Sequence, residues 1–146
     1  MIAVDTNVLV YAHRADSEWH EPAATALKRL AQGAGEWAIP WPCVHEFLAI
    51  VTHPRIYRPP SSLAQALEQV RAWLESPSLV LLSESATHFG VLEKLCTASH
   101  TTGPRIHDAR VAALCVEHGI ETLWSADRDF ARFPGVFVEN PLVTPA

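Results

Sequence analysis

Three features predict an α/β fold, with a central, mostly parallel β-sheet flanked by helices on both faces. Short apolar runs recur along the chain: IAV at 2–4, EWAIP at 36–40, LVLL at 79–82 and ETLWS at 121–125. Longer segments between them repeat their apolar residues at helical spacing. The short runs are nearly all apolar instead of alternating with polar residues, as in strands covered on both sides.

The elements follow in order. Residues 2–4 and 8–11 are almost all apolar and mostly β-branched or aromatic, a buried strand running into more apolar chain around the oddly placed Asp5. Ser17 and Glu18 lead into a helix with Pro22 in its opening turn, where the missing N–H costs nothing. Its apolar positions are Ala23, Leu27, Leu30 and Ala34, and Gly33 and Gly35 end it. After the EWAIP strand, Pro42 opens a helix in which Val44, Phe47, Leu48 and Val51 share a face. PRIYRPPSS at 54–62 is a turn-rich connector. Ser61 or Ser62 caps the next helix, with an expected buried stripe of Leu63, Leu67, Val70 and Leu74, and Pro77 closes it. The strand at 79–82 precedes a helix over 86–99 that aligns Phe89, Leu92 and Cys96. Gly103-Pro104 breaks the chain before IHDARVAALCVEHG, where Ala109, Ala112, Ala113 and Val116 share a face and Gly119 stands at the stop position. The strand ETLWS, a loop or short helical turn at 127–133 and a last strand at 136–138 complete the chain.

The 146 residues, 49% apolar and 18% charged, read as one domain able to bury a core. No apolar stretch reaches the roughly 18 residues that span a bilayer, and no cationic leader precedes the first apolar run, so a cytoplasmic protein is expected. Cys43, Cys96 and Cys115 lack metal-type spacing and read as reduced thiols. The net charge of −5 repels polyanions, so nucleic-acid binding here requires either a local arginine cluster or cations in an acidic pocket.

An acidic pocket is what the motifs describe. Parallel sheets bind ligands beyond the carboxyl ends of their strands, near a switch in strand order. Asp5 follows the first strand, Asp127 follows ETLWS, Glu46 lies in the first turn after EWAIP, and Asp108 opens a helix. Of five aspartates, Asp5, Asp108, Asp127 and Asp129 fall in these segments, and only Asp16 lies outside. Clustered carboxylates raise one another's pKa unless a cation stands between them, and Mg²⁺ or Mn²⁺ suits an all-oxygen cage. Taken singly, Asp108 also reads as a helix N-terminal acid, Glu46 as an exposed first-turn acid, and Asp127 and Asp129 as turn residues.

VDTNVLVY at 4–11, the Glu46 helix followed by VTHPRIYRPP, IHDARVAALCVEHG at 106–119 and WSADRDFARFPG at 124–135 make the chain resemble the PIN-domain ribonucleases, in particular the VapC-type toxins of toxin-antitoxin pairs. The resemblance runs end to end and implies a single PIN domain over residues 1–146. It implies that Asp5, Glu46, Asp108 and Asp127 hold one or two Mg²⁺ or Mn²⁺ ions, with Asp5 and Asp108 touching metal directly. Thr6, Asn7 and Ser125 would orient these carboxylates by hydrogen bonds, and Asp129 would be accessory, capping the DFARF turn. The implied reaction is in-line attack of metal-bound water on an RNA phosphodiester, leaving a 5′-phosphate and a 3′-hydroxyl. Arg14, Arg55, Arg58 and Arg105 flank the acidic blocks and are candidates for gripping the RNA backbone. The implied partners are RNA, a homodimer mate and a small antitoxin covering the site.

Competing classes lack key residues. A Mg²⁺-dependent phosphatase or receiver-like domain needs a lysine at a later strand end, but Lys28 and Lys94 both fall within helical segments. His45-Glu46 begins a zinc-peptidase motif that fails at Ala49. His45 and His107 stand one helical step, roughly 100°, from Glu46 and Asp108. A catalytically silent PIN fold that binds RNA or protein is the non-enzymatic alternative.

Overall fold

The computed structural model describes residues 1–143. Five parallel strands form one sheet: β1 Ile2–Val4, β2 Trp37–Pro40, β3 Leu79–Leu82, β4 Thr122–Trp124 and β5 Phe137–Glu139, in the order β3-β2-β1-β4-β5. The chain builds outward from β1 to β3, then returns to add β4 on the other side of β1. The order therefore reverses between β1 and β4, and their carboxyl ends open the crevice where α/β sheets bind ligands.

Helices α1 Thr6–His13 and α2 His20–Gln32 connect β1 to β2, and α3 Trp41–Val51 and α4 Leu63–Leu74 connect β2 to β3. These four pack together: α1 lies against both α2 and α3, and α3 against α4. Helices α5 His88–Ser99 and α6 Ile106–Glu117 pack on each other in the return crossover, which the right-handed rule places on the opposite face. Buried Val4, Ile39, Leu123, Phe47 and Leu114 fill the layers between. Helix α6 approaches the sheet closely because Ala109, Ala112 and Ala113 on its buried face carry only methyl groups.

Two expectations are corrected and one unassigned segment is resolved. The first strand ends before Asp5 as its position suggested, and the apolar residues 8–11, given no element by the sequence, lie in α1, into which the backbone turns directly at Asp5. No glycine or proline marks this boundary, and packing against α2 and α3 overrides the β preference of Val8 and Val10. On α4 the buried residues are Ala66, Val70 and Trp73, while Leu63, Leu67 and Leu74 are 64%, 40% and 45% exposed. The helix carries two apolar stripes at helical spacing, and Trp73 selects one by meeting Phe47 edge-on at 4.8 Å between ring centroids. On α5 and α6, Phe89 and Val116 turn outward, and Leu95 of α5 takes the buried position.

Elsewhere the local signals and the structure agree. Ser62 caps α4 in a reciprocal capping box with Gln65. Residues 127–133 contain a 3₁₀ turn at Arg128–Arg132. The three cysteines are free.

The reassigned face of α4 separates two substitutions. Trp73→Ala should cost about 3–5 kcal/mol by opening a cavity beside Phe47, whereas Leu67→Gln should change stability by less than about 0.5 kcal/mol. Urea unfolding followed by circular dichroism measures both.

Candidate active site

Asp5 occupies the joint between β1 and β4. Its backbone N–H donates to the Trp124 carbonyl at 2.9 Å, the last rung of the β1–β4 ladder, and its side chain is buried at 7% exposure. Ser125, immediately after β4, donates its hydroxyl to Asp5 Oδ2 at 2.8 Å. Ser125 Oγ in turn accepts from Asn7 Nδ2 at 3.2 Å and from the Asp127 backbone N–H at 3.0 Å. Asn7 Oδ1 accepts from the Ala126 N–H at 3.1 Å. The first turn of α1 and the loop after β4 are thus sewn together around one carboxylate.

No positive side chain joins this arrangement, and its electrostatics follow from that. Burial pushes the Asp5 carboxyl up to about 6, the Ser125 hydrogen bond opposes the shift and Glu46 adds to it. The buried Cys43 thiol donates to Asp5 Oδ1 at 3.6 Å and is itself held well above the ordinary thiol range by burial and the Asp5 charge.

The other three acids stand around the mouth. Glu46 is raised by partial burial and by Asp108, with His107 opposing. Asp108 is raised by burial and by Asp127, with Arg105 opposing. These interactions run Asp5 to Glu46 to Asp108 to Asp127, so four separate segments contribute to one acidic patch. Asp127 also turns its own Oδ1 to the Asp129 N–H at 2.9 Å, capping the 3₁₀ turn.

Among the described residues Arg105 is the one arginine or lysine that ion-pairs with these acids. Its Nη1 lies 3.3 Å from Asp108 Oδ2 and 3.8 Å from Asp127 Oδ2, and its Nη2 pairs with Asp129. Arg14 is engaged elsewhere. It forks onto Asp16 at 2.9 and 2.6 Å, donates to the Pro59 carbonyl and Ser61, and stacks 4.2 Å above the Tyr57 ring. Its guanidinium anchors the connector 53–62 and is not free to grip a phosphate. Arg55 and Arg58 are exposed on that same connector.

Asn7 and Ser125 hold the positions expected of groups that orient a carboxylate. Thr6 supports Asp5 through its backbone, which opposes the upward shift of the carboxyl, while its Oγ1 and Trp124 Nε1 are the buried side-chain polar atoms without a hydrogen-bond partner among the described residues. Cys43 was overlooked by the sequence reading, although it precedes Glu46 by three residues and so shares its side of α3. The Arg105–Asp108 pair was legible in the same way, since i and i+3 are neighbours on a helical turn.

The donor set at the mouth is all oxygen, which suits a hard divalent cation over zinc or copper. A buried carboxylate without a counter-charge, flanked by Glu46 and Asp108, both raised by burial and then by a neighbouring acid, is the chemistry such an ion neutralises. Among the described residues no three His, Cys, Asp or Glu side chains already form a closed cage.

Comparisons with known proteins identify the family and the fold. Residues 2–136 match the PIN domain family. The chain is 31% identical to Ribonuclease VapC48 of Mycobacterium tuberculosis over 94% of both chains, and 35% identical to Ribonuclease VapC37 of the same species over 97% of both. The fold resembles VapBC2 from Rickettsia felis, solved with a promoter DNA fragment, with a TM-score of 0.70 at 20% identity over 96% of this chain and 98% of that one. It also resembles M. tuberculosis VapC20, described as a Sarcin-Ricin loop cleaving toxin, with a TM-score of 0.65 at 18% identity over 90% and 93%.

Burial of Asp5 fixes the sign of a pH dependence. The folded protein holds this proton up to about pH 6, and the unfolded chain releases it near 3.8. Stabilisation from this group is therefore complete below the unfolded value and lost as pH rises through about 6, by roughly 3 kcal/mol. With chelator present, Asp5→Asn should be more stable than wild type at pH 7.5, and the gap should close towards pH 4.5. Urea titrations across that range measure it, and a wild type as stable as the variant at pH 7.5 contradicts the account.

Proposed function

The chain belongs to the PIN-domain family, and we propose that it is an endoribonuclease, the toxin of a toxin-antitoxin pair, that hydrolyses RNA phosphodiesters with the help of Mg²⁺ or Mn²⁺. The observation that carries this reading is Asp5, a buried carboxylate without a cationic partner at the β1–β4 switch point, continuous with Glu46, Asp108 and Asp127. Its kinship with ribonucleases named VapC supports the choice of RNA and of the toxin role.

In this reading Asp5 and Asp108 hold the ion directly, and Glu46 and Asp127 complete its surroundings. When bound, a divalent ion polarises a phosphoryl oxygen and lowers the pKa of water. The protein's own groups do the positioning. Ser125 and Asn7 fix which oxygen of Asp5 faces the mouth, as outer partners of metal ligands do. Glu46 has a proton affinity raised by burial and by Asp108, which suits its carboxylate to accept a proton as water attacks. No side-chain nucleophile is required, and the products carry a 5′-phosphate and a 3′-hydroxyl. Arg55 and Arg58 on the exposed connector are two cations open to the RNA backbone.

The proposed protein partners are a small antitoxin and a second copy of the chain. The uncovered leucines of α4 supply apolar surface suited to such docking. The second reading, a silent PIN fold that only binds, draws its support from Arg105, which already neutralises part of the mouth.

The deciding experiment is expression of wild type and Asp5→Asn in a growing host, followed by sequencing of RNA 5′ ends. Cleavage sites present with wild type and absent with the variant are expected; identical patterns would overturn the nuclease reading. Ser125→Ala, which leaves Asp5 in place but frees its carboxylate to turn, should lower the cleavage rate about 10- to 100-fold.

A further inference from the structure

We propose that Arg105 is a displaceable internal counter-ion of the acidic mouth, which a divalent cation must push aside in order to bind. This rests on the metal-dependent reading above and adds to it a residue that sets how much metal the protein needs.

Its geometry distinguishes Arg105 from an ordinary surface arginine. One nitrogen, Nη1, is shared between Asp108 and Asp127, and Nη2 reaches Asp129, so one side chain serves three carboxylates from two segments. Two of the three, Asp108 and Asp127, belong to the proposed metal-holding set. The guanidinium thus supplies the positive charge that those carboxylates would otherwise take from an ion. It cannot do the same for Asp5, with which it makes no contact and which stays buried without a cation among the described residues. Nor does it pair with Glu46, so the compensation is partial and two carboxylates remain for an ion to neutralise.

The location also allows release. Arg105 ends the 3₁₀ turn Gly103–Arg105, one helical turn before Asp108, and its side chain is 41% exposed. Partly exposed ion pairs are individually weak because water and salt compete for both charges. The guanidinium can therefore exchange its carboxylates for solvent when a more concentrated charge enters. Once outside, it is still tethered at the rim, facing an approaching phosphodiester. The same residue thus shields the acids of the metal-free protein and offers a cation to substrate in the loaded one.

A residue that only staples the α6 turn to the loop after β4 would behave differently, because metal would then bind without moving it. Manganese binding read by electron paramagnetic resonance of the free ion separates the two roles. Arg105→Gln should bind Mn²⁺ about 3- to 10-fold more tightly than wild type, the gain expected from removing a competing cation held by a few weak pairs. Arg110→Gln, which removes an equal charge from the Glu84 pair outside the mouth, should leave the affinity unchanged. The wild-type protein supplies a second readout that does not depend on any variant folding. The Arg105 side-chain N–H signal in ¹⁵N NMR should shift in step with added Mg²⁺. Equal Mn²⁺ affinity in wild type and Arg105→Gln, equal tightening in Arg110→Gln, or an Arg105 signal indifferent to saturating Mg²⁺ would each overturn the proposal while leaving the metal reading standing. Absence of saturable Mn²⁺ binding in both wild type and Arg105→Gln would overturn both.

Discussion

The architecture turns on one buried carboxylate and the hydroxyl that holds it. Asp5 ends β1 and Ser125 follows β4, and the 2.8 Å bond between them joins the two strands at the place where the strand order reverses. An ionised group in that position costs stability because water is excluded and no cation replaces it. The surrounding design limits this cost without removing it. Ser125 donates to the carboxylate, while Asn7 and the Asp127 N–H satisfy the same hydroxyl from the other side. The start of α1 and the loop after β4, which carry Asp5 and Asp127, are fixed by that small network, and α3 joins it through the Cys43 thiol.

Charge is distributed in two layers around it. The inner layer, Asp5 with Glu46, is met by no arginine or lysine among the described residues, only by His107 beside Glu46, and is shifted towards the protonated form. The outer layer, Asp108, Asp127 and Asp129, is bridged by Arg105. A chain with a net charge of −5 can in this way keep an anion-repelling mouth folded without metal, yet leave a deficit of positive charge where a phosphodiester would enter. Arg14, equal to Arg105 in sequence promise, is spent instead on Asp16, Tyr57 and the connector. The difference is whether a guanidinium ends its reach among acids of the mouth or among groups of a loop.

Legibility followed the range of the interactions. Capping at Ser62, the proline-opened α3, the glycine stop of α6 and the short apolar strands are local, and each was readable. The faces of α4 were not, because Leu63, Leu67 and Leu74 repeat as well as Ala66, Val70 and Trp73, and only contact with Phe47 from another segment chooses between them. Helix α1 escaped for the same reason. Its valines favour a strand in isolation, and the neighbouring α2 and α3 decide otherwise.

By itself the sequence determined the class of fold, the positions of the strand ends and the acids placed at them, since these depend on short-range patterning and on how rarely an apolar strand ends in Asp. Only the tertiary structure decided that Asp5 lacks a cation, that Ser125 and Asn7 share its support, that Thr6 Oγ1 is left without a partner, and that Arg105 lies among three aspartates while Arg14 does not. The Asn7–Ser125 and Ser125–Asp5 bonds join groups more than a hundred residues apart and Arg105 reaches Asp129 across 24, so these contacts are set by packing and not by spacing along the chain.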